Sequence, residues 1–134
     1  VNNIYVNSLN HGYDAAAFLT GLRGERVVYG HVAGHDLDKS GVIIDTHGQA
    51  TCDPVWQLLE LAYQTFGVFP TLVERDFNMP PLADLVAEVE HIAELQQRFG
   101  NRSCIARAPT VGALPLSIDH PLVVASMQVD GAKS

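Results

Sequence analysis

Short apolar runs that are typical of buried strands alternate with helical segments over the first hundred residues. Strands are predicted at residues 1–7, 26–32, 41–46 and 69–75, and each run has a polar or charged residue at or next to its last position. Apolar strands separated by helices are typical of parallel β/α units, in which ligands bind at the carboxyl ends of the strands. The sequence therefore predicts an α/β fold of about four β/α units.

The segments between these strands carry helix start and stop signals. Asp14 is the expected N-cap of the first helix, and Asp53 followed by Pro54 is the expected start of the second. The third helix follows two prolines and carries one apolar stripe at helical spacing, made of Leu85, Val89, Ile92 and Leu95. The expected helices span residues 14–22, 53–66 and 82–99.

The length of the chain limits how much of such a fold it can build. A closed eight-stranded α/β barrel needs roughly 200 residues or more, whereas this chain has 134. Residues 1–100 are therefore predicted to be the C-terminal half of a β/α barrel, and residues 101–134 a tail with one possible strand at 122–126. Because Val1 falls inside a predicted strand, we expect a truncated or cleaved product. Its barrel edges would be covered by a second copy, by the tail or by the missing N-terminal half.

Composition narrows the range of partners and compartments. The net charge is −7, from 15 acidic and 8 basic residues without a basic block, which argues against nucleic acid as a partner. No run of about 18 apolar residues is present, so no membrane partner is expected. Cys52 and Cys104 match no zinc motif. The sequence predicts a reduced, cytoplasmic protein, with a disulfide between these two cysteines as the alternative.

Imidazole and carboxylate side chains follow three consecutive predicted strands. His31 ends one strand, Asp45 and His47 end the next, and Glu74 ends the strand after that. Because residues two apart on a strand point to the same face, Asp45 and His47 are expected to face one cation. Mixed nitrogen and oxygen ligation suits iron, zinc or manganese rather than calcium. The sequence therefore predicts a metal site.

Several other polar residues lie near the same predicted rim. His35 is a further ligand, a substrate contact or an ordinary loop histidine, and His11 and Asp76 are additional ligand or substrate-contact candidates. Asn3 either ligates through its side-chain carbonyl or bonds the backbone. The glutamates of the third helix, Glu88 among them, are assigned to a solvated face.

Four sequence blocks make the chain recognisable. NNIYVNSLNHGYD, GHVAGH, IDTHG followed by DPVWQLLELA, and PTLVERDFNMPPL together resemble, in order and spacing, the bacterial multinuclear non-heme iron-dependent oxidative enzymes. The resemblance covers residues 1–99 and implies a TIM barrel of the xylose-isomerase type, with two or three iron ions at its C-terminal rim. It also implies a set of metal ligands, His31, Asp45, His47 and Glu74, with Asn3 at a further metal-facing position.

The resemblance also implies an activity. Characterised members of the family oxidise cysteine residues of ribosomally made peptides with dioxygen, usually together with a partner protein that presents the peptide. The family normally carries an aspartate just before the position of Val1 and further histidine and glutamate ligands upstream, and this chain lacks them. Two alternatives remain open: a zinc-dependent hydrolase or isomerase on the same barrel, and a non-catalytic fragment or interaction module with an incomplete metal site.

Overall fold

The computed structural model describes residues 1–100 and the backbone of residues 123–127. The elements, in chain order, are α1 (Asn2–His11), α2 (Ala15–Thr20), a 3-10 turn (Gly24–Arg26), β1 (Gly30–Val32), β2 (Asp36–Leu37), β3 (Ile43–Ile44), α3 (Asp53–Phe66), β4 (Thr71–Arg75), α4 (Leu82–Gly100) and β5 (Val123–Met127). Within this part of the chain, no helix combines the length and the apolar character needed to span a membrane.

Three of the strands form a parallel sheet in the order β1, β4, β5. His31 on β1 lies opposite Leu72 on β4, and Glu74 lies opposite Ser126 on β5. This confirms an α/β fold with a parallel sheet flanked by helices, an arrangement consistent with part of a barrel. The strand expected at residues 122–126 is found as β5, and the remainder of the predicted tail lies outside the described residues.

The strand predicted at residues 1–7 is wrong, because this segment forms α1. Asn2 and Val6 are buried four residues apart, and Val1 and Tyr5, also four apart, pack against the core. This spacing places both pairs on the inner side of a helix and overrides the strand preference of the β-branched and aromatic residues. The helix ends at Gly12, which adopts the left-handed conformation with φ 70°.

The strand predicted at residues 41–46 is reduced to Ile43–Ile44 and does not join the parallel sheet. It pairs instead with Asp36–Leu37 in an antiparallel hairpin. The Asp38 carboxylate accepts hydrogen bonds from two backbone amides of the connecting turn, where Gly41 has φ 86°. This local turn chemistry favours a hairpin, and it leaves β1 directly beside β4. Two of the four strands predicted in the first hundred residues therefore belong to the parallel sheet.

Helices α3 and α4 supply most of the apolar core that includes residues of β1 and β4. The core cluster is Val32, Val55, Leu59, Tyr63, Val73, Ile92, Leu95 and Phe99. Leu85 of the predicted stripe on α4 is also buried, and Val89 packs against the cluster, which confirms the expected stripe. The N-cap of α3 is Cys52 rather than Asp53, which starts the helix itself.

A buried ion pair connects β4 to α4. The Arg75 guanidinium donates to Glu88 Oε1 at 3.1 Å, and the Thr51 hydroxyl donates to Glu88 Oε2 at 2.8 Å. The Arg75 and Glu88 side chains are only 6% and 14% exposed. The prediction that Glu88 lies on a solvated face is therefore wrong, because this carboxylate neutralises an arginine that β4 directs into the interior.

Candidate metal centre

The two faces of β4 differ in burial and in chemistry. Thr71, Val73 and Arg75 are buried, whereas the intervening Leu72 and Glu74 are only half-buried. Because successive side chains of a strand point to opposite faces, Leu72 and Glu74 share the second face, and the pairing with Leu72 brings His31 to it. A cavity of about 430 Å³ opens there, lined by Asn3, Tyr29, His31, Asp45, His47, Leu72 and Glu74.

Three side chains in this cavity converge as potential metal ligands. One ligand atom from each of His31, His47 and Glu74 lies within 4.8 Å of the other two. Glu74 Oε2 is 2.9 Å from His31 Nδ1 and 3.6 Å from His47 Nδ1. Two imidazoles and a carboxylate whose ligand atoms lie within 4.8 Å of one another can share one cation, and they form the ligand set that iron, zinc and manganese accept.

Two imidazole nitrogens of this cluster are better placed to bind a metal ion than to form hydrogen bonds with the neighbouring carboxylates. His31 Nδ1 and His47 Nε2 are buried and have no hydrogen-bond partner among the described residues, although carboxylate oxygens lie 2.9 and 3.0 Å away. These contacts are short enough but lack hydrogen-bond geometry. A buried polar atom without a partner costs free energy, and a metal ion bound between such nitrogens and carboxylates would remove that cost.

Electrostatics favours the ligand form of His31. Burial is the largest of the effects that lower the pKa of His31 below its ordinary value of 6.5, although Glu74 acts in the opposite direction. A lowered pKa keeps the imidazole neutral near pH 7 and leaves a lone pair available for a metal.

A turn, rather than a strand, directs His47 into the cavity. The strand ends at Ile44, and His47 adopts a left-handed conformation with φ 56°. Its amide donates to Gly34 O at 3.1 Å, and its carbonyl accepts from the Asp76 amide at 3.1 Å, so the turn is tied to the ends of both β1 and β4. The expected convergence of Asp45 and His47 is present, but it does not arise from a shared strand face.

Two aspartates flank the His47 ring. Asp76 Oδ2 lies 3.1 Å from Nδ1, and Asp45 Oδ1 lies 3.0 Å from Nε2. A carboxylate hydrogen-bonded to one nitrogen of a ligating histidine orients the ring and fixes its tautomer. Asp76 is placed for that role, whereas Asp45 reaches the three-residue cluster through its contact with His47.

Asn2 is a site residue that sequence reasoning missed. It has no exposed surface, and its amide nitrogen donates to Asp45 Oδ1 and, at 3.2 Å, to Gly34 O. Its side-chain oxygen lies 2.9 Å from His35 Nδ1. The sequence predicts a strand over residues 1–7, and this incorrect assignment concealed the burial of Asn2 on the inner side of α1.

The remaining candidate residues occupy different positions. Asn3 lines the cavity, but its amide nitrogen donates to Asp45 Oδ2 at 3.2 Å, and its carbonyl oxygen accepts from Asn7 at 3.1 Å. His35 contacts Asn2 and the Tyr5 ring, the latter at 5.4 Å between centroids. His11 is exposed at the end of α1 and is not part of the cavity lining.

Several proteins are similar in sequence to this chain over about three quarters of its length. A UPF0276 protein of Nitrosospira multiformis is 55% identical over 101 residues, which cover 75% of this chain and 36% of the relative. A UPF0276 protein of Pseudomonas aeruginosa strain UCBPP-PA14 is 53% identical over 100 residues, covering 75% of this chain and 35% of the relative. A UPF0276 protein of Alcanivorax borkumensis is 54% identical over 99 residues, which cover 74% of this chain and 33% of the relative.

These names state no activity, and the chain spans about a third of the length of the relatives it matches. No solved structure matches the chain significantly. A family model described as "RiPP precursor modification enzyme MbnB/TglH/ChrH" matches residues 1–97, which include all the cavity residues. The family resemblance is thereby confirmed, and the chain belongs to the MbnB/TglH/ChrH family of RiPP precursor modification enzymes.

Proposed function

We propose that this chain supplies ligands to a multinuclear non-heme iron centre that oxidises cysteine residues of a ribosomally made precursor peptide with dioxygen. The observation that carries the proposal is the convergence of His31, His47 and Glu74, whose ligand atoms lie within 4.8 Å of one another. Membership of a precursor-modifying family supports the peptide as substrate. The cysteine thiol is the reductant in this reaction and dioxygen is the electron acceptor.

Each residue of the centre has a separate task. His31, His47 and Glu74 would hold iron, which when bound would supply the redox chemistry between thiolate and dioxygen. Asp45 adds a carboxylate beside His47 Nε2, at 3.0 Å. Asp76 accepts the proton of His47 Nδ1 and so keeps the other ring nitrogen free for a metal. Asn3 contributes through its hydrogen bond to Asp45 rather than as a direct ligand.

The cavity also suits a substrate side chain. Its volume of about 430 Å³ exceeds what a metal ion needs, and Tyr29 and Leu72 give it an apolar wall beside the ligands. His31, His47 and Glu74 would hold the metal from one side of this cavity, and the rest of the cavity would receive the substrate. We propose that the cysteine of the peptide enters here, presented by a partner protein, and that other parts of a longer protein or a second copy of the chain supply further ligands and cover the β1 edge.

Two other functions use the same residues. A zinc-dependent hydrolase or isomerase is favoured by the ligand set itself, because two imidazoles and a carboxylate suit zinc as well as iron. The other alternative is a non-catalytic fragment or interaction module with an incomplete metal site, in which these residues would hold no stoichiometric metal.

The decisive experiment is metal analysis of the intact protein, purified without oxygen, combined with oxygen uptake in the presence of the precursor peptide. Stoichiometric iron with uptake that requires the cysteines of the peptide supports the proposal. Stoichiometric zinc without oxygen uptake favours the hydrolase or isomerase, and the absence of stoichiometric metal favours the non-catalytic reading.

Matched histidine variants connect this result to the site. His31→Ala should abolish metal binding and oxygen uptake, whereas His11→Ala should leave both unchanged, because His11 is exposed and lies outside the cavity lining. Equal effects of the two substitutions would contradict the location proposed for the centre.

A further inference from the structure

Asn2 uses every hydrogen-bonding atom of its side chain in a position with no exposed surface. Its amide nitrogen has two hydrogens, and it donates to Gly34 O at 3.2 Å and to Asp45 Oδ1. Its oxygen accepts from His35 Nδ1 at 2.9 Å. One side chain thereby connects α1, the loop after β1 and the carboxylate beside His47.

The orientation of this amide is fixed by its surroundings. The reversed amide would place its oxygen against the Gly34 carbonyl and the Asp45 carboxylate, both of which only accept hydrogen bonds. The nitrogen must therefore face Asp45, and the oxygen must face His35. It follows that His35 carries a proton on Nδ1, which leaves Nε2 as the nitrogen with a free lone pair when this ring is neutral.

The Asp45 carboxylate is in turn held at both oxygens. Asn2 donates to Oδ1, and Asn3 donates to Oδ2 at 3.2 Å. Oδ1 is also the oxygen that lies 3.0 Å from His47 Nε2. Two consecutive amides at the start of α1 therefore determine where this carboxylate meets the imidazole.

We propose that Asn2 is a positioning residue, which holds Asp45 beside His47 so that the carboxylate can join the metal centre; this inference rests on the proposed metal-dependent function. Residues that hydrogen-bond to metal ligands restrict their orientation and contribute to affinity. Asn2 acts through Asp45 and is not itself a ligand.

A purely structural role in anchoring α1 is already filled by other contacts. Asn10, near the other end of the helix, donates to Ile43 O at 2.7 Å and accepts from Ile43 N at 2.9 Å. Val6 is buried on the same helix, and the nitrogen of Val1 donates to His31 O at 2.8 Å. A buried amide at position 2 adds the ability to donate to a carboxylate, which an apolar side chain cannot supply.

The test is competitive titration of the intact protein with cobalt(II), whose absorption spectrum reports its coordination. Asn2→Ala should weaken cobalt binding by about 10–100-fold, the range for loss of an outer-shell partner. Asn10→Ala is the matched control, because Asn10 belongs to the same helix but its side chain hydrogen-bonds to the backbone of Ile43 rather than to the Asp45 carboxylate, and it should leave the affinity unchanged. If Asn2→Ala fails to fold, Asn2→Ser, which keeps one donor, takes its place.

A double-substitution cycle separates positioning from general destabilisation. In an Asp45→Ala background, Asn2→Ala should cause no further loss of cobalt affinity, because Asn2 acts through Asp45. An equal loss in both backgrounds, or unchanged affinity of the single variant, would overturn the inference while leaving the metal centre intact. Failure of the unsubstituted protein to bind cobalt would instead reject the centre itself, and the role of Asn2 with it.

Discussion

Adjacent residues of β4 differ in chemistry because their side chains lie on opposite faces of the strand. Val73 and Arg75 are buried on the face that packs with the helices, whereas Leu72 and Glu74 line an open cavity on the other face. The buried face resembles the interior of any stable domain, although it contains an ion pair. The open face leaves two imidazole nitrogens without hydrogen-bond partners, and on the buried face only Arg75 Nε lacks one among the described side chains. Stability and metal binding should therefore respond to substitutions on opposite faces of the strand.

The largest expected effect on stability lies on the buried face. Arg75→Ala should lower the free energy of unfolding by about 3–5 kcal/mol, because it leaves the largely buried Glu88 carboxylate without its ion-pair partner. Denaturant unfolding of the metal-free protein measures this loss. The double variant Arg75→Met with Glu88→Leu should recover most of the stability, since an apolar pair can replace a buried ion pair. A double variant as unstable as Arg75→Ala would contradict this account of the network.

The largest expected effect on metal binding lies on the adjacent residue. Glu74→Gln keeps the shape of the side chain but removes the negative charge that faces His31 and His47. Metal affinity should fall by more than the roughly 100-fold upper range for an outer-shell partner, with little change in the unfolding of the metal-free protein. His91→Ala is the control, because His91 packs on Trp56, outside the cavity. If His91→Ala weakened metal binding as much as Glu74→Gln, metal binding could not be assigned to the open face of β4.

A smaller effect is expected where Asp76 supports His47. Asp76→Asn should weaken metal binding by about 10–100-fold, because the amide is a poorer acceptor for the proton on His47 Nδ1 than the carboxylate at 3.1 Å. Isothermal titration with iron(II) under anaerobic conditions measures the change. Affinity equal to that of the unsubstituted protein would show that Asp76 does not orient this ring.

The smallest expected effect is on stability, at Tyr63 of α3, which packs against the buried face of β4. Its hydroxyl bonds to Thr71 and accepts from Gln96 at 3.3 Å, so Tyr63→Phe should cost about 0.5–1.5 kcal/mol. Burial is the main cause that raises the pKa of Tyr63 above its ordinary value of 10.0. The folded state therefore favours the neutral phenol, and the resulting stability is present below pH 10 and lost as the pH rises above that value. The free energy of unfolding should therefore fall less steeply with rising pH above pH 10 for Tyr63→Phe than for the unsubstituted protein. Equal slopes would show that Tyr63 does not cause this pH dependence.

Predictability from sequence also differed between regions. The apolar stripe of α4 and the strand at β4 were predicted because their burial follows a simple period. Residues 1–7 were assigned to the wrong element because Ile4, Tyr5 and Val6 are strand formers, and only their packing shows that the period is helical. Strand propensity is a weak guide where tertiary contacts decide the conformation.

The candidate site shows the same limit. His31 and Glu74 were expected together because neighbouring parallel strands bring their carboxyl ends to one edge, and the β1 to β4 pairing does so. Asp45 and His47 meet through a left-handed turn that no alternation pattern reveals. Asn2 was missed because an asparagine has no ligand signature of its own, and its role depends on a contact 43 residues away in the sequence.

The proposed metal centre can be examined directly in a crystal structure of the iron-loaded intact protein, with anomalous scattering recorded on both sides of the iron absorption edge. We expect an anomalous peak within bonding distance of His31, His47 and Glu74, on the face of β4 opposite α3 and α4. Iron bound elsewhere, or imidazoles in this cavity that pair only with carboxylates while iron is present, would contradict this expectation.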